Sequence, residues 1–285
     1  MYLYRDRDAY DRDAFSWGLR AEHGFRWEEV APPPPGFSDE YRLAVRVAGG
    51  HGRIADPAAY VQAIASHFER SGGELRRGAA VAGLVRSDGG GIAGVRLVDG
   101  TTIACNACVL AAGVWTKALA AELGMDVPME SERGYHIDLW KPSWSPECPT
   151  LINDAKFNVT PMADRLRLAG VVEFASVDAP AAEPPFDFIL RTATRAMPGL
   201  RWERMTRWQG HRPAPVDSIP VLGEVEGVPG AFMAFGHHHV GLTGGAKTGR
   251  LVAEMVACGE EHVSREIDLT PYTPSRFVSA RASAT

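Results

Sequence analysis

Long apolar runs are missing from this sequence of 285 residues, and no stretch approaches the length that spans a bilayer as a helix. Blocks of like charge are missing too. Thirty Lys and Arg stand against 35 Asp and Glu, for a formal net charge of -5 and a pI near 6.0. That balance argues against nucleic acid or an anionic membrane surface as the main partner, and leaves a small or modestly charged substrate. Cysteine is scarce, at four residues. Cys105 and Cys108 form a CxxC, a spacing used for redox chemistry or for half a zinc site. No second CxxC or matching CxxH accompanies it, Cys148 and Cys258 are isolated, and the surrounding "TTIACNACVLAAG" reads as a strand, so no metal site is expected. The opening "MYLYRDRDAYDRDAF" is charged from residue 5 onward, unlike a secretory signal, and the expected location is cytoplasmic.

A true dinucleotide-binding fingerprint is also lacking. That motif needs a strand, a tight glycine turn and a helix whose N-terminus faces a pyrophosphate. Two strings match GxGxxG/A: "GHGRIA" (Gly50 to Ala55) and "GGGIAG" (Gly89 to Gly94). The first would place the Asp56 carboxylate at the helix cap where phosphate must sit, which is repulsive. The second lies between two strands and reads as a hairpin turn.

What is present is a hydrophobic content of 45%, enough for one large domain or two modest ones. Residues 1 to 30 read as a charged strand followed by a helix, closed by the proline-stiffened "APPPPGFSDE". Asp56 is a good N-cap with Pro57 at the first helical position, and Tyr60, Ile64 and Phe68 carry the helix to Ser71-Gly72-Gly73. From Ala79 to Gly113 the pattern becomes an antiparallel meander, with Asp88-Gly89 and Asp99-Gly100 at its turns. "VWTKALAAELG" then reads as a helix. Residues 131 to 175 and 206 to 222 are strand-rich around a helix near "PFDFILRTATRAMPGL", and a last helix runs from Gly245 to Cys258.

Four stretches together resemble the superfamily of FAD-dependent D-amino-acid dehydrogenases and oxidases, which includes glycine and sarcosine oxidases. They are "GRIADPAAYVQAIASHFERSGGELRRGAAVAGL", "VLAAGVWTKALAAELGMDVPMESERGYHI", "GHRPAPVDSIPVLGEV" and "FGHHHVGLTGGAKTGRLVAEMV". The resemblance implies an α+β fold of the FAD-linked oxidoreductase type, a mixed or antiparallel substrate sheet interleaved with the C-terminal part of an FAD-binding domain. In those terms residues 1–48 open the substrate domain, 49–128 form a partial FAD-binding domain with the β-meander, 129–208 return to the substrate domain, 209–270 complete the FAD-binding part, and 271–285 form a loose tail. The implied activity is oxidation of the C–N bond of a D-amino acid or small amine by hydride transfer to flavin. The family's opening βαβ unit, which holds the ADP half of FAD, does not precede Tyr2. The expectation is therefore a chain incomplete by itself, or a non-catalytic subunit or fragment that needs a partner carrying that unit.

The resemblance also assigns residues. The glycine-rich turn after the three histidines packs on the flavin ring, which implies contacts from Gly236, His237, Gly241, Leu242 and Thr243; the other reading is a turn before a core helix. Glycines there let the backbone approach a planar ring, and the N-terminus of the following helix presents free N–H groups. Arg212, held between Gly210 and Pro213, matches the arginine that grips the substrate α-carboxylate, because a planar guanidinium can bind a carboxylate bidentately; a surface ion pair is the alternative. Ala111, Ala112, Gly113 and Trp115 in "LAAGVW" match the passage of the chain by the FAD diphosphate or ribityl, or are a strand-to-helix turn without a ligand. Val81 stands where the chain passes adenine. Tyr135 and His136 line the substrate pocket or are satisfied core groups. No general base is assigned.

Overall fold

The computed structural model describes residues 1–49, 52–259 and 267–277. Gly50 and His51 of the "GHGRIA" string, and residues 278–285 of the expected tail, lie outside them.

Strand β1 (Tyr2–Tyr4) leads to α1 (Arg7–Asp11), whose N-cap Asp6 accepts the Ala9 N–H, then to α2 (Ala14–Glu22), β2 (Arg26–Val30) and β3 (Leu43–Ala48). Helix α3 (Pro57–Arg70) starts as expected, with Asp56 Oδ1 accepting from Ala58 and Ala59. Its apolar stripe is not buried: Val61, Ile64 and Phe68 are all about half exposed. β4 (Val81–Arg86), β5 (Ile92–Leu97) and β6 (Thr102–Ala104) form the antiparallel meander, so "GGGIAG" is a hairpin turn. "TTIACNACVLAAG" is not one strand. It breaks after Ala104, and β7 (Cys108–Leu110) leaves the meander because Cys108 N–H donates to Gly230 O, which starts a pairing with a different sheet.

A 3-10 turn (Gly113–Trp115) and α4 (Thr116–Glu122) follow, then β8 (Met129–Trp140), β9 (Thr150–Ile152), β10 (Phe157–Pro161), β11 (Arg165–Phe174), α5 (Glu183–Ala196), β12 (Arg204–Pro215), β13 (Val221–Glu224), β14 (Ala231–Phe235) and α6 (Gly241–Cys258). Helix α6 begins four residues before the expected Gly245. Gly241, Gly244 and Gly245 have helical rather than left-handed backbone, so the turn is His237 to Val240 and the glycines form the first helical turn.

The chain divides into two compact units. The first comprises Met1–His67, Arg133–Glu173 and Asp178–Gly210. Its mixed eight-stranded sheet has the order β12-β8-β11-β10-β9-β1-β3-β2, with β1 parallel to β9 and antiparallel to β3. One face packs Tyr135, Ile137, Leu139, Phe157, Val159, Leu166 and Leu168 against Phe186, Ile189 and Ala193 of α5. Burying a Phe or Ile side chain of that kind contributes about 1.5–3 kcal/mol. The second unit comprises Phe68–Glu132, Phe174–Val177 and His211–Thr285. It holds the meander and a second sheet of order β13-β14-β7, in which β14 and β7 run parallel. Its core gathers Leu110, Ala120, Met129, Val221, Met233 and Phe235.

The expected loose tail is tied down where it is described. Thr270–Tyr272 and Pro274–Phe277 form 3-10 turns, and Arg276 donates to Asp217 Oδ2 at 2.9 Å and to Ile219 O at 2.6 Å. A long donor fork satisfying a carboxylate and a backbone carbonyl fixes a segment that composition alone marks as polar coil.

Candidate functional site

In the second unit the parallel register pairs Cys108 with Ala231, Val109 with Phe232 and Leu110 with Met233. Both strands therefore end at the same edge of the sheet, the position where ligands of open α/β sheets bind. From β7 the chain continues into Ala111 and Ala112, both exposed, and into Gly113 at φ 58. From β14 it continues into Gly236 at φ 81, where a Cβ would also stand 2.7 Å from Pro215 Cγ, so glycine is required twice over. His237 Nε2 meets Thr248 Oγ1 at 2.8 Å, and burial pulls the His237 pKa down. No side chain caps the N-terminus of α6, whose N–H groups carry a partial positive charge. Leu242 and Thr243 are exposed there, and a Cβ on Gly241 would come 3.3 Å from His237 Cβ.

Arg212 lies on β12. Its Nη1 is buried and has no hydrogen-bond partner. Burial pulls the guanidinium's pKa down, against the opposing pull of the Glu132 charge. The neighbouring His211 Nδ1 is 2.8 Å from Ser131 Oγ, and its ring meets Trp115 edge-on at 5.6 Å. Glu132 Oε1 lies 3.0 Å from His238 Nε2. His238 Nδ1 also contacts His239 Nδ1, and its backbone is left-handed at φ 53.

Arg212 and all the residues expected near the cofactor (Val81, Ala111, Ala112, Gly113, Trp115, Gly236, His237, Gly241, Leu242, Thr243) thus fall in one unit. Val81 opens β4 in the separate meander sheet and is 43% exposed. Tyr135 and His136 belong to the other unit and point to opposite faces of β8, so they do not line one surface. Tyr135 is a core residue. Its ring packs on Phe186 at 5.0 Å, its hydroxyl donates to Glu173, and it accepts from Ala182 N at 3.1 Å and Arg133 Nη2 at 3.3 Å. His136 stacks on Trp208 at 4.8 Å beside Asp138, which Arg165 and Arg167 both grip. Burial and Arg167 lower its pKa to about 4 against the pull of Asp138.

Sequence reasoning missed Glu132 and His238. His238 sits beside His237, which drew attention for other reasons, Glu132 lies within a strand-rich stretch, and nothing local announces their pairing. Among the described residues no group of three or more His, Cys, Asp and Glu is placed to hold a metal, and no helix is long and apolar enough to cross a membrane.

Parallel strands ending together in small residues, a glycine-rich uncapped helix start and a buried guanidinium nitrogen without a hydrogen-bond partner thus come together in one α/β unit. The chain belongs to the family of FAD-dependent oxidoreductases, whose profile matches residues 1–255. It is 35% identical to a D-amino-acid oxidase of Bradyrhizobium diazoefficiens, over 98% of this chain and 66% of that protein. A D-amino acid dehydrogenase of Xanthobacter autotrophicus is 27% identical, over 98% and 67%. The chain therefore spans about two thirds of the length of these relatives. Among solved structures, the glycine oxidase of Geobacillus kaustophilus superposes with a TM-score of 0.81 at 22% identity, covering 98% of this chain and 74% of that one. The iminodiacetate oxidase of Chelativorans sp. gives 0.77 at 22% identity, over 96% and 74%. Likeness at that identity establishes the fold, a mixed α/β architecture of the glycine oxidase type.

Proposed function

We propose that this chain supplies the substrate-binding body and the flavin-contacting end of an oxidoreductase that converts the C–N bond of a D-amino acid or small amine to an imine, which water hydrolyses to a carbonyl product, a 2-oxo acid where the substrate is an amino acid, with release of ammonia or an amine. The observation that carries the reading is the buried, unpaired Nη1 of Arg212. A desolvated guanidinium with a vacant donor is costly unless a ligand completes it, and a carboxylate is its geometric match. The residues fit the cofactor as well: Ala111, Ala112 and Gly113 leave backbone open to close approach beside the exposed Trp115, Gly236 packs on Pro215 and turns the chain toward α6, and His237, Gly241, Leu242 and Thr243 lie at the helix start, with Val81 assigned to the adenine side. Bound FAD would accept the hydride that leaves the substrate α-carbon. Arg212 fixes the carboxylate and so the orientation of that carbon, while the α6 N-terminus favours negative charge near it. The reading assigns no base and leaves Tyr135 in the core. It places the chain in the cytoplasm, in keeping with four free cysteines.

A second reading, in which the chain works only with a segment carrying an ADP-binding unit, is favoured by the unburied apolar stripe of α3 and by β7, an edge strand whose Val109 is 41% exposed. Visible absorbance of the purified chain, with and without added FAD, separates the two. Near-stoichiometric flavin that bleaches anaerobically with a D-amino acid supports the first reading. A colourless chain that gains flavin only with such a segment supports the second. Bound flavin that no amino acid or amine reduces overturns the proposed activity.

A further inference from the structure

The carboxylate anchor has a rival for its ligand on the facing strand. Val216 N–H donates to Pro128 O at 2.9 Å, and stepping inward equally from that bond along β12 and β8 brings Arg212 and Glu132 abreast. In that register the Ser131 to His211 contact at 2.8 Å is a diagonal one, and the Glu132 charge acts directly on the Arg212 guanidinium. Both carboxylate and guanidinium are largely shielded from water, with the Glu132 side chain 18% exposed, and a charge pair of this kind closes readily. Yet Arg212 Nη1 is unpaired, and Glu132 turns instead to His238 Nε2 at 3.0 Å.

His238 is built to hold that carboxylate. Its backbone N–H donates to Pro213 O at 3.0 Å, next to Arg212, its backbone is left-handed, and its ring meets Glu132 of β8. With Nε2 donating to Glu132, Nδ1 is left to face His239.

We propose that His238 is a positioning residue for the carboxylate anchor: it keeps Glu132 as its own partner and so leaves the facing Arg212 guanidinium free for an incoming carboxylate. This rests on the reading of Arg212 as that anchor. Glu132 is then a built-in competitor, released when the His238 contact is lost.

The test is calorimetric binding of propionate, with propionamide as the uncharged control, to the full chain and its variants, alongside KM and kcat for a D-amino acid in the flavin-loaded protein. His238→Asn removes the reach to Glu132 while tolerating the left-handed backbone. It should weaken propionate binding by roughly tenfold or more, the scale on which a close charge competes. KM should rise with kcat unchanged, because the competition is for ground-state binding. Adding Glu132→Gln to His238→Asn should restore the wild-type affinity, and Glu132→Gln alone should bind propionate at least as well as wild type. Wild-type affinity in His238→Asn, a double variant as weak as the single one, or weaker binding in folded Glu132→Gln overturns the proposal. Arg212→Met separates the layers. Full propionate affinity in that variant removes the anchor reading and this inference with it, whereas lost affinity there combined with no rescue by Glu132→Gln removes this inference alone.

Discussion

Replacing Arg212 by Met should make the protein more stable and worse at binding a carboxylate. The guanidinium is pulled out of water with one terminal nitrogen unpaired, and its pKa is lowered by that burial. Methionine keeps the length and apolar stem without the charge. Desolvating an ion inside a protein costs several kcal/mol, so removing a partly buried charge whose outer nitrogen lacks a partner should recover about 1 kcal/mol of it. A gain of about 1 kcal/mol raises Tm by roughly 2–4 °C in a chain of this size. In the other direction, truncating one side of a desolvated charge pair costs about 2–5 kcal/mol, which at about 1.4 kcal/mol per decade is a loss of thirtyfold or more in affinity. Differential scanning calorimetry without ligand and propionate titration measure the two effects on one sample. Arg212→Lys should recover only part of the affinity, since an ammonium lacks the planar fork. A Met variant that melts lower and binds propionate unchanged would refute the argument, because Arg212 would then be a structural cation.

Gly241→Val should strip bound flavin while leaving the far-ultraviolet circular dichroism intact, since the first Cβ already presses His237 at 3.3 Å and two methyls must go toward the helix mouth; a variant that still carries stoichiometric flavin counts against a cofactor contact there. Tyr135→Phe should cost about 1–3 kcal/mol in urea unfolding, by orphaning groups that its hydroxyl satisfies, and leave KM for a D-amino acid unchanged. A changed KM at unchanged stability would return Tyr135 to the substrate pocket. His136 titrates from 6.5 in the unfolded chain to about 4 in the fold, so its contribution is fully present above the unfolded value and is lost as pH falls through the interval between them. Wild type should lose on the order of 2–3 kcal/mol across that interval relative to His136→Phe, which keeps the stack on Trp208; parallel pH curves for the two proteins would dismiss the buried neutral histidine.

Local rules made part of this structure legible. Asp56 with Pro57 begins α3 because a cap needs only its own next turn, and the Asp-Gly turns of the meander are equally self-contained. The errors come where a distant partner decides. β7 leaves the meander for β14, whose residues lie far along the chain. Gly241 to Gly245 read as a turn because glycine is a poor helix former, but the helix is paid for downstream, where Leu251 and Met255 pack on Phe232. Tyr135 was decidable in principle: Tyr135, Ile137 and Leu139 alternate as a buried face, which leaves His136 on the other one. The Glu132 to His238 pair had no such signal, since an acid in a strand and the middle of three histidines each look like surface.

The same long-range contacts fix where the proposed anchor, Arg212, stands. A carboxylate grip is useful only if it stays in register with the cofactor-facing end of the sheet, and loops alone hold such registers loosely. Here Arg212 is on a strand, and its neighbours Pro213 and Pro215 touch the loop that starts α6: Pro213 O accepts from His238 N, and Pro215 fills the space that a side chain on residue 236 would need. Gly236 therefore serves packing as well as backbone conformation. The consequence is that Gly236→Ala should harm carboxylate binding and flavin binding together, since both depend on the same β12-to-loop weld. A variant that lost flavin while keeping wild-type affinity for propionate would show that the two registers are set independently.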